Sequence, residues 1–217
     1  MRMFKSGSAI GRLAAAALAL GILGFAVPVA AQPGANSAGA NQAADREALR
    51  AWSRCLISRH GRQVTELLSS DFRSQEYGRV MRRLAQSDLC PMRGRLSSAG
   101  VLLGGELAEQ SLAQRMRGTS LAELTAYRPE RGPIAARVPS EVLAFCTVRE
   151  APQAVSALFS AGLGTAEERT ALRALQPQVG QCLPAGESAS FNAAGLRAIL
   201  ALGAYRLALH NQVEARR

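Results

Sequence analysis

The spacing of four cysteines constrains this 217-residue chain more than any other feature of its sequence. Cys55 and Cys90 are 35 residues apart, and Cys146 and Cys182 are 36 residues apart. Four cysteines allow three disulfide pairings, and the count alone does not choose among them. The residues around the cysteines therefore have to select the pairing.

The segment that begins at Cys55 is similar to the segment that begins at Cys146. Aligned without a gap, CLISRHGRQVTELLSSDFRSQEYGRVMRRL and CTVREAPQAVSALFSAGLGTAEERTALRAL are identical at seven of thirty positions. The identities are Cys55/Cys146, Val64/Val155, Leu67/Leu158, Ser69/Ser160, Glu76/Glu167, Arg82/Arg173 and Leu84/Leu175. One inserted residue then aligns Cys90 with Cys182. We interpret this as a tandem repeat.

If each repeat copies one ancestral unit, its two cysteines should pair with each other. The repeat thus predicts the disulfides Cys55–Cys90 and Cys146–Cys182. Each bond would close a loop of about 36 residues and stabilise the fold by roughly 3–4 kcal/mol in the chain-entropy picture. A zinc site is the alternative use of four cysteines, but the sequence has no C-x-x-C pair and no Cys/His cluster at ligand spacing. We expect no metal and no other cofactor.

The first 31 residues have the organisation of a secretory signal peptide. A basic start, with Arg2, Lys5 and Arg12, precedes an apolar run of about 15 residues from position 13 to 27. Small residues up to Ala31 then allow cleavage before Gln32. An uncleaved membrane anchor is the alternative, but a spanning helix needs roughly 20 apolar residues. We expect a periplasmic or secreted protein with no transmembrane segment after cleavage.

The remaining residues predict an all-α fold of two tandem four-helix units, each closed by one disulfide. Ala and Leu dominate, whereas strand-forming Ile, Thr and Tyr are sparse. Local signals include a capping box at Thr165 and Glu168, an N-cap at Asn192 and a possible short helix from Ser120 to Tyr127. The expected organisation is signal peptide 1–31, flexible leader 32–43, helical unit 44–117, linker 118–139 and helical unit 140–217.

Positive charge is concentrated in the first unit. Residues 46–95 hold 11 Arg and 5 acids, whereas residues 141–217 hold 7 Arg and 6 acids. Arg79, Arg82 and Arg83, at i, i+3 and i+4, form a guanidinium stripe that could bind phosphates or carboxylates. A solvated face that keeps the protein soluble is the interpretation we prefer. Nucleic acid is a poor candidate partner, because no aromatic residues are interleaved with the arginines. Another envelope protein or an anionic envelope surface is the expected partner.

No catalytic signature occurs after residue 31: HExxH, GxSxG, Walker A and GxGxxG are all absent. His60 and His210 have no second ligand at a telling spacing, so we expect each to be solvent-exposed or at a helix end. Gly104-Gly105 is expected to be a close-packing point. The alternative is an enzyme whose site lies between the two units, built from residues such as His60, Glu66, Asp71 or Tyr77.

With its small-residue cleavage site, its two Cys-to-Cys units and the segment AVSALFSAGLGTAEERTALRAL, the chain resembles small exported proteins of Ala- and Arg-rich proteobacterial genomes. The resemblance covers the chain after the signal peptide, is strongest in the second unit, and carries no known activity. We expect a noncatalytic helical scaffold that binds a partner in the cell envelope. An enzyme should present convergent titratable groups with shifted pKa values, whereas a scaffold should present an apolar groove or a basic face.

Overall fold

The computed structural model describes residues 34–91, 100–183, 186 and 189–212. Regular structure in these ranges is helical, which confirms the all-α prediction. The α-helices are α1 (Gly34–Ser69), α2 (Gln75–Ala85), α3 (Gly100–Arg115), α4 (Leu121–Thr125), α5 (Pro139–Glu150), α6 (Pro152–Ser160), α7 (Ala166–Gln181) and α8 (Ala193–Gln212). A 3-10 turn, Pro129–Arg131, lies between α4 and α5. The predicted signal peptide, residues 1–31, lies outside the described residues.

Two disulfides close the two halves of the chain. Cys55 bonds Cys90 with their Cα atoms 5.8 Å apart, and Cys146 bonds Cys182 with Cα atoms 5.7 Å apart. Both separations are ordinary for disulfides. The pairing predicted from the repeat is therefore confirmed. Among the helices that the structure describes, none combines the length and the apolar character needed to cross a membrane.

The N-terminal helix differs from the expectation at its start. Residues 34–43, for which we expected a flexible leader, belong to α1. Two features favour this helical start. Ala43 packs against the turn at Gly164, where an added Cβ would lie 2.9 Å from the Cβ of Ala43. In addition, extending an existing helix toward its N-terminus adds one hydrogen bond for each residue that becomes ordered. The backbone is non-helical at His60 (φ −127°, ψ 31°), so α1 consists of two helical segments joined at a kink, in agreement with the four helices expected of the first unit. In the second half, Ala151 (φ −137°, ψ 53°) separates α5 from α6 at the corresponding place.

The core forms where α3 and α8 pack against each other, with α1 beside α3 and α5 beside α8. Glycines permit the close approach of these helices. A Cβ on Gly105 would lie 2.4 Å from both Cα and Cβ of Ala198, and a Cβ on Gly203 would lie 2.5 Å from the Cβ of Ala144. Gly105 is thus the close-packing point expected of the Gly104-Gly105 pair.

Side-chain caps begin three helices where the sequence placed them. Asn192 Oδ1 accepts the N–H of Gly195 at 2.7 Å, and Ser120 forms a complete capping box with Glu123. The Thr165 hydroxyl accepts the N–H of Glu168 at 3.2 Å, but the Glu168 carboxylate does not return to the N-cap. That carboxylate has other partners, described below, so the predicted capping box is only half formed.

Candidate functional site

A groove of about 280 Å³ lies between the two halves of the protein. We call it the interunit groove. Its lining residues are Leu67, Leu68, Ser70, Phe72, Tyr77, Gly100, Val101, Arg137, Ser140, Glu141, Ile199, Leu202 and Arg206. The end of α1 and the starts of α2 and α3 supply the first half's side, and α5 and α8 supply the other. The groove therefore exists only when both halves are folded together.

Apolar side chains make most of the groove's surface. Leu67 and Leu68, which are buried on α1, line it from one side, and Ile199 and Leu202 line it from α8. Phe72 and Val101 line it while remaining 42% and 40% exposed. Large apolar side chains that stay accessible around a concave surface are typical of a binding site.

Tyr77 supplies a polar group without a partner in the groove. It lies in the first turn of α2, where its backbone N–H donates to the Ser74 hydroxyl at 3.0 Å. A Cβ on Gly104 would lie 3.1 Å from the Tyr77 hydroxyl. The phenol therefore packs against α3 at a position that has no side chain. No described residue hydrogen-bonds that hydroxyl, and burial raises the pKa of Tyr77. The phenol is thus neutral at physiological pH and able to donate a hydrogen bond.

The charged groups along the groove are already occupied. Arg206 forms an ion pair with Glu141, donates to the carbonyl of Ala135 at 3.2 Å, and lies over the ring of Phe145. Arg137 donates its backbone N–H to Glu141 at 2.6 Å and its guanidinium to the carbonyl of Ser70 at 2.7 Å. These bonds hold the rim in place. Apolar surface, rather than an unpaired cation, is therefore what the groove presents to a ligand.

The residues proposed for an enzymatic site form no hydrogen-bonded cluster. His60 hydrogen-bonds Ser87 at 2.6 Å, and Glu66 is exposed. Asp71 accepts the backbone N–H of Arg73 at 2.9 Å, and this bond lowers the pKa of Asp71. His60, Glu66, Asp71 and Tyr77 form no hydrogen bonds with one another within the described structure.

His210 lies in the last turn of α8, with its Nε2 3.2 Å from the carbonyl oxygen of Gly132, so it is a helix-end histidine as expected. In the described ranges, no three His, Cys, Asp or Glu residues gather in a way that could hold a metal ion.

The predicted guanidinium stripe is only partly free. Arg79 pairs with Glu76 at 2.5 Å, one turn earlier on α2. Arg82 and Arg83 are exposed, and neither forms an ion pair with the part of the chain that the structure describes. The stripe therefore presents two available charges at the end of α2.

A buried set of six charged side chains was not anticipated from the sequence. We call it the ion network; its members are Arg46, Arg50, Glu106, Glu109, Glu168 and Arg197. Three positive and three negative charges balance. Each of the six side chains is at most 16% exposed, and Arg197 and Glu168 are only 3% and 2% exposed. Buried charges are tolerated when they are paired in this way.

The ion network joins the two halves. Arg46 on α1 contacts Glu168 on α7 at 2.5 and 2.8 Å, and Arg197 on α8 contacts the same carboxylate at 2.9 Å. Arg197 also donates to Glu109 on α3 at 2.7 and 2.8 Å, and Arg50 on α1 donates to Glu109 at 2.6 Å. The same contacts that balance charge therefore fix how α1 and α3 lie against α7 and α8.

Glu168 is the most strongly held acid in the ion network. Burial alone would raise the pKa of this carboxyl. Hydrogen bonds from Arg46, from the N–H of Gly164 at 2.8 Å and from Arg197 outweigh burial and lower the pKa of Glu168 to about 2. The carboxylate thus stays ionised throughout the physiological range. A sequence signal did exist: Glu106 and Glu109 interrupt the otherwise apolar stretch of α3 and lie on one face of it.

No protein-family model, no curated protein and no solved structure matches this chain.

Proposed function

We propose that this is an exported, noncatalytic helical binding protein of the cell envelope, and that the interunit groove receives apolar side chains of another envelope protein. One observation carries the proposal. A groove of about 280 Å³ is built from apolar side chains of both halves, with Phe72 and Val101 left accessible beside it.

The lining and rim of the groove favour a protein partner. A volume of about 280 Å³, lined mostly by apolar side chains, suits one or two apolar side chains of a partner. Protein interfaces place such anchors in a central pocket with a polar rim around it, and Arg137, Glu141 and Arg206 supply a rim of both signs.

Export is supported by the sequence and by the cysteine chemistry. The basic start, short apolar run and small residues before Gln32 are typical of a cleaved signal peptide. All four cysteines are in disulfides, and such bonds persist in oxidising compartments. An anionic envelope surface is a second candidate partner, because Arg82 and Arg83 are exposed and form no ion pair within the described residues.

We also interpret the two halves as a tandem duplication. Three features recur at the same offset of 91 residues: the helix breaks at His60 and Ala151, the N-caps Ser74 and Thr165, and the first cysteine of each disulfide. Duplication accounts for a groove formed between two similar halves. An enzyme with its site between the halves is the alternative function, but the groove offers only one titratable group with a raised pKa, Tyr77.

A methyl NMR titration tests the groove directly. Residues 32–217 contain three isoleucines, Ile57, Ile134 and Ile199, and only Ile199 lines the interunit groove. We expect neutral N-acetyl-leucyl-phenylalanine amide to shift the Ile199 methyl signal saturably and to leave the other two unchanged. An unmoved Ile199 signal, or equal movement of all three, would overturn the proposal.

A groove-filling variant provides the matched control. Gly100→Leu places a side chain at the groove with no atom within 4 Å of its Cβ, so it should block the groove without disturbing the core. Binding of the dipeptide should weaken at least about tenfold. Gly180→Leu makes the same change in open space on α7, away from the groove, and should bind like the unaltered protein. Equal binding by both variants would contradict the groove as the site.

A further inference from the structure

A second cavity, of about 300 Å³, lies on another face where α1 and α3 of the first half meet α6 of the second. Its lining combines charged, hydroxyl and apolar side chains, unlike the largely apolar groove. We propose that this second cavity binds a small organic monoanion with an apolar body, such as an arylalkyl carboxylate. The proposal concerns a different site from the interunit groove and does not depend on it.

The free positive charge in the second cavity belongs to Arg54. Arg50 lines the cavity but donates to Glu106 at 2.7 Å and to Glu109 at 2.6 Å, so the ion network occupies it. Glu109 is occupied as well, because Arg197 donates to both of its carboxylate oxygens. Arg54 follows Arg50 by one helical turn, is exposed, and has no ion-pair partner among the described residues. One positive charge is therefore free to meet one negative charge.

Hydroxyl groups on α6 complement this charge. Ser156 and Ser160 are one turn apart and both line the second cavity. The Ser160 hydroxyl donates to the carbonyl of Ser156 at 3.0 Å, whereas the Ser156 hydroxyl has no hydrogen-bond partner within the described ranges. A carboxylate held by Arg54 could accept a hydrogen bond from Ser156.

The apolar part of the cavity defines the rest of the ligand. Leu112 on α3, Met116 just after α3 and Phe159 on α6 form a wall suited to an aliphatic or aromatic body. A volume of about 300 Å³ corresponds to roughly ten water molecules, and hence to a ligand of about ten non-hydrogen atoms. A ring with a short carboxylate arm has this size.

Calorimetric titration with phenylacetate and with neutral phenylacetamide tests the proposal. We expect the acid to bind and the amide to bind at least about tenfold more weakly. Arg54→Gln should weaken phenylacetate about tenfold or more. Arg59→Gln makes the same charge change on an exposed position of α1 outside the cavity, and should bind phenylacetate like the unaltered protein. Equal loss in both variants would mean nonspecific attraction and would overturn the proposal.

Two further variants locate the ligand. Ala113→Phe fills the cavity from an exposed position on α3 and should abolish binding, whereas the groove-filling Gly100→Leu should leave it unchanged. Loss of phenylacetate binding in Gly100→Leu alone would overturn the assignment. Comparison with N-acetyl-glycyl-phenylalanine identifies the source of the anion. Tighter binding than phenylacetate supports a peptide C-terminus, and weaker binding supports a free organic acid.

Discussion

Replacing Glu168 with Gln should destabilise the protein, because Glu168 completes the charge balance of the ion network. The change removes the one carboxylate that both Arg46 and Arg197 contact. The network then carries one uncompensated positive charge. Arg197 is only 3% exposed, so water compensates little of this charge, although Arg197 keeps Glu109 and the carbonyls of Phe159 and Ala161.

Two arguments give the size of the loss. Removing one partner of a buried ion pair typically costs about 3–5 kcal/mol, and Arg46, at 16% exposure, is partly relieved by solvent, which favours the lower end. Separately, the pKa of Glu168 is lowered from 4.5 to about 2, which corresponds to roughly 3 kcal/mol of stabilisation at neutral pH. We expect a loss of about 3 kcal/mol in the free energy of unfolding at pH 7.

The effect should depend on pH with a definite sign. Because the pKa is lower in the folded state, the contribution of Glu168 is complete above pH 4.5 and is lost as the pH falls to about 2. The unaltered protein should lose about 3 kcal/mol of stability across this window through this group, and Glu168→Gln should lack that component. The difference between the two proteins should therefore close in acid.

Urea unfolding of the disulfide-intact protein, followed by circular dichroism, measures this difference at several pH values. Glu66→Gln, which neutralises an exposed acid on α1, is the matched control and should change stability by less than about 0.5 kcal/mol. Equal stability of Glu168→Gln and the unaltered protein at pH 7 would refute the reasoning. So would a difference that stays constant between pH 7 and pH 2.

Packing and the disulfides give two further predictions. Gly105→Ala places a Cβ 2.4 Å from the backbone of Ala198 and should lower the free energy of unfolding by about 2–3 kcal/mol. Gly180→Ala, in open space, should raise it by up to about 1 kcal/mol. Thermal unfolding compares the two variants, and equal shifts in Tm would contradict the close packing at Gly105. Cys146→Ser should lower the free energy of unfolding by about 3–4 kcal/mol and leave the Cys55–Cys90 disulfide intact. Nonreducing peptide mass mapping checks the remaining disulfide, and a rearranged disulfide would contradict this prediction.

Local signals in the sequence were enough to predict the helical class and where several helices begin. Composition indicated helix, and short-range chemistry at Ser120 and Asn192 marked where helices begin. The repeated surroundings of the cysteines selected one pairing of three, and both bonds are present. These predictions succeeded because each depends on residues close in sequence, or on a similarity visible in the sequence itself.

The ion network and the groove could not be derived in the same way. Arg46 and Glu168 are 122 residues apart, and Arg197 and Glu109 are 88 residues apart. Composition cannot say which charges meet over such distances, and Glu168 was assigned only to a helix cap. Tyr77 is a candidate from the sequence, but its place in the groove with Ile199 depends on how the two halves pack.

The helical start of α1 escaped prediction for a related reason. The composition of residues 32–43 indicates how little surface this segment can bury by itself. Its stability depends instead on the helix that follows it and on the contact of Ala43 with Gly164, far away in sequence. The composition of a segment therefore does not predict its helix formation when contacts with residues distant in sequence contribute to its stability.

Photo-crosslinking in the exporting cell tests the central proposal most directly. A photoreactive phenylalanine analogue at Val101, beside the groove, should crosslink to one defined envelope protein, and the product should contain a chain that begins at Gln32. The same analogue at Leu89, which is 64% exposed and outside the groove, should not, and Gly100→Leu should abolish the Val101 product. Crosslinks to lipid alone, equal products at both positions, or a chain that retains residues 1–31 would contradict an exported protein that binds its partner through the interunit groove.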